Sequence, residues 1–342
     1  MTASLTESIA QFERLVAQRS RFVLAGHVNI DGDSLGSMLG MADALRQLGK
    51  SVRCIVFEPV SDRYAFLQGA AKVEIFDPVV HAPALHDADV FMMFDFSSTN
   101  RIPGLWDLVE ASRVTKVCFD HHPTATLPGD INVHDPASPA TGTIVLAVLR
   151  RLGVPLSNSI AEALLVAIST DTGWFRYSNT SPAVLRDAAE LTATGIDPHR
   201  IYREVYQRNE VALIRLIGAV AAQLNDEFDG RLLWATIPNE LIERLGVGTF
   251  ETDQLLDLLR TGRDVECVAL MRETSNHDVR VNLRSRGVVD LTPIAREMGG
   301  GGHRHAAGAT LQCGLTEAVD RVMPLVRAAL AAGLRGLAST PR

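Results

Sequence analysis

The sequence has few cysteines, an acidic charge balance and no long apolar run. Its four cysteines, Cys54, Cys118, Cys267 and Cys313, lie far apart and form no CxxC pair. Buried, reduced thiols in a cytosolic protein explain this pattern best. The net charge of −7 argues against a protein that binds long nucleic acid along a basic face, but it is compatible with a short or small phosphorylated ligand.

Signals for membrane insertion and export are also lacking. No apolar run approaches the roughly 18 residues that a membrane-spanning helix needs. The N-terminal stretch lacks a basic leader and an apolar segment long enough for export. We therefore expect a cytoplasmic protein without membrane association.

Apolar runs in the first half of the chain indicate an α/β fold. Four runs have the character of buried strands, and they occupy residues 22–26, 51–57, 90–94 and 115–119. A periodic segment over 34–48 predicts a helix with Asp33 or Ser34 as its N-cap. Its Gly36 and Gly40 would let the helix pack closely against a sheet. Strands that alternate with helices predict a doubly wound parallel sheet.

The rest of the chain predicts a helical connection and a second, smaller domain. Helical periodicity extends from residue 182 to about 225, and three strand-like runs follow at 232–237, 265–271 and 279–284. A chain of 342 residues also exceeds the size at which one core usually keeps growing. We predict a parallel-sheet domain over 1–185, a helical linker over 186–228 and an α+β domain over 229–342.

Aspartate and histidine follow successive apolar runs of the first domain. They are His27, Asp31 and Asp33 after the first run, Asp95 after 90–94, Asp120, His121 and His122 after 115–119, and Asp171 after the apolar segment 158–170. Ligands of a doubly wound sheet bind beyond the carboxyl ends of its strands, where these side chains would meet. Eight side chains so placed, six or seven of them as oxygen or nitrogen ligands, predict a two-metal site.

Each of these motifs also has a simpler interpretation. The Asp-Gly-Asp sequence before the predicted helix is ordinary turn and N-cap chemistry, and a single aspartate at a strand end usually caps the following turn. A pair of histidines is more often structural or exposed to solvent than metal-binding. The prediction therefore depends on the joint pattern, because independent accidents would have to place ligands at the same end of successive runs.

The ligand types indicate the metal and the reaction. Carboxylates with a minority of imidazoles suit Mn²⁺ and, less selectively, Fe²⁺, Co²⁺ or Mg²⁺, whereas the absence of thiolate ligands argues against structural zinc. Two such ions about 3.5–4 Å apart generate hydroxide from bound water and neutralise a phosphoryl oxygen. Phosphoester hydrolysis is the reaction that this site predicts.

A glycine run near the C-terminus predicts an anion-binding segment. Consecutive backbone N–H groups over 299–302 form a concavity that suits phosphate, although a glycine run alone also fits a flexible hinge. His303 directly after the run, and Arg284 with Ser285 at the end of a predicted strand, favour phosphate or nucleotide binding.

With these motifs in view, the sequence resembles the DHH phosphoesterase family in its two-domain form, with a glycine-rich DHH-associated C-terminal domain. The resemblance covers nearly the whole chain. It rests on residues 27–37, Asp95, Asp120-His121-His122, Asp171-Thr172-Gly173, Gly300-Gly301-Gly302-His303 and Ala306-Ala307-Gly308. Within the family, the sequence is most similar to the bifunctional oligoribonucleases and 3′-phosphoadenosine 5′-phosphate phosphatases, the nanoRNases of NrnA type. One departure is Ile30, which stands where the family usually has proline; metal binding should remain intact, because proline provides no ligand.

The resemblance implies a role for each candidate residue. His27, Asp31 and Asp95 would hold one Mn²⁺ ion, and Asp33, Asp95, His121 and Asp171 would hold the other, with Asp95 as the bridge. His122 would orient the scissile phosphate or protonate the leaving oxygen, and Asp120 would fix an imidazole tautomer. The residues implied to bind substrate are Arg284, Ser285, Gly300, Gly301, Gly302 and His303.

The function implied by the resemblance is Mn²⁺-dependent release of mononucleotides from RNA of a few residues, together with conversion of 3′-phosphoadenosine 5′-phosphate to AMP. A phosphodiesterase for cyclic dinucleotides, or for linear pApA and pGpG, is an alternative that the sequence does not separate. A processive exonuclease of RecJ type is disfavoured because no additional strand-binding domain is evident. A family II pyrophosphatase is disfavoured because the signature at 300–303 belongs to the other C-terminal type.

A non-catalytic nucleotide-sensing module is the alternative from a different class. Such a module would keep Arg284 and the glycine run and lose metal ligands, whereas this chain keeps all of them. The expected partners are short RNA or single-stranded DNA oligonucleotides and 3′-phosphoadenosine 5′-phosphate. Family analogy also allows a homodimer.

Overall fold

Residues 1–208 and 209–342 form two units, each with its own six-stranded sheet. The structure is a computed structural model, and it describes residues 3–338 except for 97, 124–126, 249, 251, 275 and 277. The first sheet is parallel and the second is mixed. This architecture confirms the predicted α/β class, with a parallel-sheet N-terminal domain and a C-terminal domain built on a second sheet.

The elements of the first unit alternate along the chain. Its strands are β1 (Arg21–Ala25), β2 (Ser51–Val56), β3 (Glu74–Ile75), β4 (Val90–Phe94), β5 (Thr115–Asp120) and β6 (Ile131–His134). Its helices are α1 (Ala3–Gln18), α2 (Gly32–Gln47), α3 (Pro78–Asp87), α4 (Leu105–Ala111), α5 (Thr141–Leu152), α6 (Asn158–Asp171), α7 (Pro182–Thr192) and α8 (Pro198–Tyr206).

The first sheet is buried on both faces. Its strands run parallel in the order β3-β2-β1-β4-β5-β6. Leu24 of β1 faces a core formed with α1, α2, α5 and α6, whereas the next residue, Ala25, faces a core formed with α3 and α4. Burial on both sides explains why the strands read as continuous apolar runs. The predicted doubly wound arrangement is confirmed.

The start of α2 differs from the sequence-based expectation. Its N-cap is Asp31, whose Oδ1 accepts a hydrogen bond from the backbone N–H of Ser34 at 3.0 Å, so Asp33 and Ser34 lie within the first turn. Gly36 faces α6 and not a sheet, because a Cβ atom at this position would lie 2.3 Å from the carbonyl oxygen of Ala163. The small residues of α2 therefore serve close packing between two helices.

The stretch from α7 to the next helix, α9 (Val211–Ala222), is divided between the two units. Val184 of α7 and Ile201 of α8 are buried in the core of the first unit. Leu213 and Leu216 of α9 are buried in a core of the second.

The second unit combines short helices with a mixed sheet. Its strands are β7 (Asn225–Glu227), β8 (Leu232–Ile237), β9 (Cys267–Glu273), β10 (Val279–Ser285), β11 (Gly301–His303) and β12 (Ala306–Leu311). Its further helices are α10 (Asn239–Leu245), α11 (Asp253–Leu259), α12 (Thr292–Glu297) and α13 (Leu315–Ala338). The strand order is β11-β12-β10-β9-β8-β7, in which β8 and β9 are parallel and the other neighbours are antiparallel.

The two faces of the second sheet are covered differently. Val281 and Leu283 of β10 face a core formed with α12 and α13. On the opposite face, Val268 and Leu270 of β9 pack with α9, α10 and α11. No helix in the described parts of the chain combines the length and the apolar character needed to cross a membrane.

Candidate functional site

The carboxyl ends of β1, β4 and β5 bring the predicted ligands together. These strands are neighbours in the sheet, so the residues that follow them share one edge. Asp171, the last residue of α6, and the start of α2 complete the cluster. Ligand atoms lie within 4.8 Å of one another in three groups: His27, Asp31 and Asp95; Asp33, His121 and Asp171; and Asp95, His121 and His122. These clusters could hold divalent metal.

Asp95 belongs to the first group and also contacts His121 of the second. Its Oδ2 is 3.8 Å from Nε2 of His27, and its Oδ1 is 3.4 Å from Nε2 of His121. Its backbone is left-handed, with φ of 62°, a conformation that costs about 1–3 kcal/mol in a non-glycine residue. The backbone N–H donates to the carbonyl oxygen of Phe119 at 2.9 Å, so the sheet ladder holds the strained residue in place.

The first turn of α5 anchors the buried Asp33. The backbone N–H groups of Thr141 and Gly142 donate to its two oxygens at 2.6 and 2.8 Å, and the hydroxyl of Thr141 donates to Asp95 at 3.0 Å. A helix N-terminus stabilises a carboxylate through such donors and through its dipole. Sequence reasoning missed Thr141. The pattern over 141–152 indicates a helix, but nothing in it shows that the first turn faces a carboxylate 108 residues earlier.

Backbone carbonyl groups orient two of the imidazoles. Nδ1 of His121 lies 3.2 Å from the carbonyl oxygen of Ser138, while Nε2 lies 3.3 Å from Asp171. An Nδ1–H that donates to a carbonyl leaves the Nε2 lone pair available for a metal. Nδ1 of His27 similarly lies 2.9 Å from the carbonyl oxygen of Val28.

Arg101 is a second residue that sequence reasoning missed. It ends the 3₁₀ turn Thr99–Arg101, and its Nη2 lies 2.7 Å from Nδ1 of His27. This contact and the contact with Val28 require opposite tautomers of His27, because guanidinium only donates and carbonyl oxygen only accepts. The tautomer that bonds to the carbonyl is the one that presents Nε2 to a metal. The sequence carries no signal for Arg101, since it lies outside the apolar runs and their ends.

Asp120 holds His122 through a short hydrogen bond. Oδ1 of the fully buried Asp120 lies 2.7 Å from Nδ1 of His122 and also accepts from the backbone N–H of His121 at 2.9 Å. The hydrogen bond to Asp120 raises the pKa of His122, whose side chain is 25% exposed and therefore accessible. His134 at the end of β6, also missed from sequence, places Nε2 2.9 Å from the carbonyl oxygen of His122.

Burial and neighbouring charges shift the pKa values of the clustered side chains. Burial raises the pKa of Asp33 well above its usual range, and the charges of Asp95 and Asp171 add to the rise. Burial lowers the pKa of His121, but the carboxylates of Asp171 and Asp95 outweigh that effect and raise it to about 12. Burial also opposes ionisation of Asp95, yet hydrogen bonds with His121 and His27 hold its pKa well below the usual range. A divalent cation would displace the shared protons.

The loop between β1 and α2 is tied to Glu58 through the backbone of Ile30. The backbone N–H of Ile30 donates to Oε1 of Glu58 at 2.9 Å, directly before the exposed Asp31, a predicted ligand. Proline has no N–H and would be unable to form this bond.

A strained turn follows Asp171. Three successive residues, Gly173, Trp174 and Phe175, have left-handed φ values of 56°, 57° and 63°. The Trp174 ring packs edge-on against Tyr202, with ring centroids 5.0 Å apart. Strain of this kind persists where packing over-determines the backbone, and it concentrates at functional sites.

The predicted substrate residues of the second unit only partly converge. Arg284, Gly300 and Gly301 line a groove of about 450 Å³ on the face of β10 opposite α13. Ser285 does not reach this groove, because it points to the other face, where its buried hydroxyl accepts hydrogen bonds from the N–H groups of Gly287 and Val289. Gly302 and His303 continue the edge strand β11 beyond the residues that line the groove.

Comparison with known proteins agrees with this architecture. Residues 21–168 match the DHH family, N-terminal domain, and residues 238–332 match the DHHA1 domain. The bifunctional oligoribonuclease and PAP phosphatase NrnA of Thermus thermophilus is 34% identical over 318 residues, which cover 92% of each chain.

Solved structures show the same fold. An exopolyphosphatase-related protein from Bacteroides fragilis superposes with a TM-score of 0.91 and 25% identity, over 96% of this chain and 98% of that one. RecJ from Thermus thermophilus, in complex with Mn²⁺, has a TM-score of 0.51 and 16% identity over 97% of this chain and 55% of RecJ, which shows likeness of fold alone. The predicted family and enzyme class are confirmed: the chain belongs to the DHH family of phosphoester hydrolases and carries a DHHA1 domain after its DHH domain.

Proposed function

We propose that the protein hydrolyses short oligoribonucleotides to mononucleotides and dephosphorylates 3′-phosphoadenosine 5′-phosphate to AMP, with two divalent metal ions at the ends of β1, β4 and β5. The observation that carries the proposal is the position of Asp95, which presents one oxygen to each of two ligand groups. The relative from Thermus thermophilus, which has both activities in its name and aligns over 92% of each chain, supports the substrate class.

The donor set fits two ions that prefer oxygen and imidazole ligands. His27, Asp31 and Asp95 would hold one ion, and Asp33, Asp95, His121 and Asp171 would hold the other. Four carboxylates with two imidazoles suit Mn²⁺ better than a structural zinc ion. When bound, such a pair of ions activates water and neutralises phosphoryl oxygen atoms. The RecJ structure in complex with Mn²⁺ is a precedent for this metal on the same fold.

His122 is the proposed proton donor for the leaving oxygen. Its Nδ1 is held by Asp120, the bond raises the pKa of the imidazole, and the ring is partly exposed. These properties favour a protonated imidazole that a substrate can reach, as general acid catalysis requires. Arg284 with the backbone of Gly300 and Gly301 would bind a phosphate in the second unit.

A cytoplasmic location belongs to the same proposal. All four cysteines are unpaired, and three of them are buried. Such thiols persist in a reducing compartment, as the cytosol is. A homodimer stays a prediction from family analogy.

A hydrolysis panel tests the substrate assignment. The full chain with Mn²⁺ is assayed on 3′-phosphoadenosine 5′-phosphate, di- to pentaribonucleotides, a long single strand and cyclic di-AMP, each with a chelator control and with Asp95→Asn as the matched variant. We expect metal-dependent cleavage of the first two substrates and none by the variant. Preference for cyclic di-AMP would reassign the substrate to cyclic dinucleotides, and nucleotide binding without any hydrolysis would overturn the enzymatic proposal.

A further inference from the structure

The groove in the second unit extends beyond Arg284. Residues at alternate positions of a strand face the same side, and Arg280, Asn282 and Arg284 of β10 all line the groove. Their partners across β12 are Thr310, Gly308 and Ala306, which line it as well. The groove therefore follows β10 over five residues and is wider than a single phosphate site.

Glycine residues line the middle of the groove, so no side chains fill it there. Asn282 pairs with Gly308 on β12, which in turn pairs with Gly301 on β11. A Cβ atom on Gly301 would meet nothing within 4 Å, so the space beside this glycine is open, whereas a Cβ atom on Gly308 would lie 2.5 Å from the carbonyl oxygen of Val281. Nδ2 of Asn282 is buried and has no hydrogen-bond partner in the part of the chain that the structure describes. An amide donor in this position calls for an acceptor from a ligand.

The charge of the groove selects an anion. Arg280 and Arg284 line it, and none of the described lining residues is acidic. Arg272 of β9 lies directly beside Arg280 across the sheet. Burial and then the charge of Arg280 lower the pKa of Arg272, as expected for two arginines that are neighbours in the sheet. This local excess of positive charge contrasts with the net charge of −7 for the chain.

The distance between the two arginines indicates whether the groove binds one phosphate or two. A strand advances about 3.3–3.4 Å per residue, so Arg280 and Arg284 start about 13 Å apart. Charge-assisted hydrogen bonds to phosphate are about 2.7–2.9 Å long. Both arginines would have to fold inward over Asn282 to reach one phosphate, whereas separate phosphates of a nucleic acid strand would meet them in extended conformations.

We propose that the groove binds an oligonucleotide backbone at two phosphates, one at Arg284 with Gly300 and Gly301 and one at Arg280 with Thr310, while Asn282 donates to an oxygen between them. This inference rests on the proposed function and names Arg280 and Asn282 as determinants of substrate length. 3′-Phosphoadenosine 5′-phosphate has one phosphate besides the scissile one and engages one arginine. A 5′-phosphorylated trinucleotide has two and engages both.

Binding to the full chain tests the proposal. The dissociation constants of a fluorescent 5′-phosphorylated trinucleotide and, by competition, of 3′-phosphoadenosine 5′-phosphate are measured with chelator, which prevents turnover, for wild type, Arg280→Gln and Asn282→Ala. The matched control is Arg215→Gln, which removes an exposed arginine of α9 that does not line the groove. Circular dichroism verifies that each variant is folded.

We expect Arg280→Gln to weaken trinucleotide binding about tenfold or more, as for loss of a charge-assisted hydrogen bond, and to change bisphosphate binding less than about twofold. For the trinucleotide, the slope of the logarithm of the association constant against the logarithm of the salt concentration should become shallower by about 0.7, because one phosphate contact is lost. An equal loss of affinity for both ligands, or no loss of affinity for the trinucleotide, would overturn the proposal that the groove binds two phosphates. Hydrolysis of the same compounds by wild type with Mn²⁺ tests the proposed function separately.

Discussion

At the scale of single residues, the site combines side chains whose positions can be predicted from the sequence with backbone groups whose positions cannot. Asp95 and His121 were predictable because each follows a strand end, and parallel strands end at one edge. Their partners were not predictable, because the carbonyl oxygen of Ser138 and the N–H of Thr141 belong to the backbone and have no residue-type signature. The placement of Ser285 was not predictable either, since its position beside Arg284 suggested a side chain directed at substrate, whereas alternation along β10 turns it inward.

Asp95→Asn should abolish hydrolysis with little change in fold. Asparagine tolerates the left-handed φ of 62° but presents only one oxygen, so the link between the two ligand groups is lost. Loss of a residue that supports a metal ligand typically costs about 10–100-fold, and we expect more than about 100-fold for the ligand itself. Steady-state rates with Mn²⁺ measure this loss. Asp95→Ala should in addition lower the free energy of unfolding by about 1 kcal/mol, because alanine is strained at this φ. Wild-type rates in Asp95→Asn would refute the assignment.

Thr141→Val should lower metal affinity while Thr141→Ser retains it. Valine preserves the shape and the backbone N–H to Asp33 but lacks the hydroxyl that donates to Asp95 at 3.0 Å. Loss of such a supporting bond typically weakens metal binding about 10–100-fold. Mn²⁺ titration of the two variants, followed by calorimetry, checks the difference. Identical affinities would show that the hydroxyl does not position Asp95.

At the scale of elements, long apolar strands were predictable and short polar ones were not. The predicted runs at 90–94 and 232–237 coincide with β4 and β8. The Ile-Asn-Val-His of β6 alternates apolar and polar residues over only four positions, and the Gly-Gly-His of β11 has no such pattern; both strands form because neighbouring strands offer them ladder partners. Helix contacts were equally hidden, since the small residues of α2 meet α6 and not the sheet.

The loop between β1 and α2 carries a prediction of its own. Glu58→Ala removes the acceptor for the N–H of Ile30 and should loosen the segment that presents Asp31. We expect Mn²⁺ affinity to fall by up to about tenfold, less than for direct support of a ligand. Glu58→Gln, which keeps Oε1 as an acceptor, is the matched control. The same affinity in Glu58→Ala and wild type would mean that the loop needs no anchor.

At the scale of the whole molecule, metal binding is linked to pH. The high pKa of His121, about 12, means that the metal-free chain holds a proton there throughout the neutral range. Binding at Nε2 must release that proton, so Mn²⁺ affinity should rise as pH rises and fall as pH falls. Titration calorimetry in two buffers of different ionisation enthalpy measures the protons released. A number near zero would contradict the described protonation of the cluster.

The division of the chain was only partly visible in its sequence. The length of the chain predicted two domains, yet apolar residues recur with helical spacing on both sides of the boundary at residue 208. Ile201 and Leu213 lie on either side of this boundary and are equally apolar. Only their burial in different cores assigns them to different units. Sequence periodicity reports that a helix has an apolar face but not which core covers that face.

The number of Mn²⁺ ions bound per chain tests the two-metal centre most directly. Equilibrium dialysis gives the stoichiometry, and electron paramagnetic resonance of the same samples reports whether two ions are magnetically coupled through a shared ligand. We predict two coupled ions per wild-type chain, and loss of the coupling in Asp95→Asn. A single ion per chain, or two uncoupled ions that Asp95→Asn leaves unchanged, would contradict a centre bridged by Asp95.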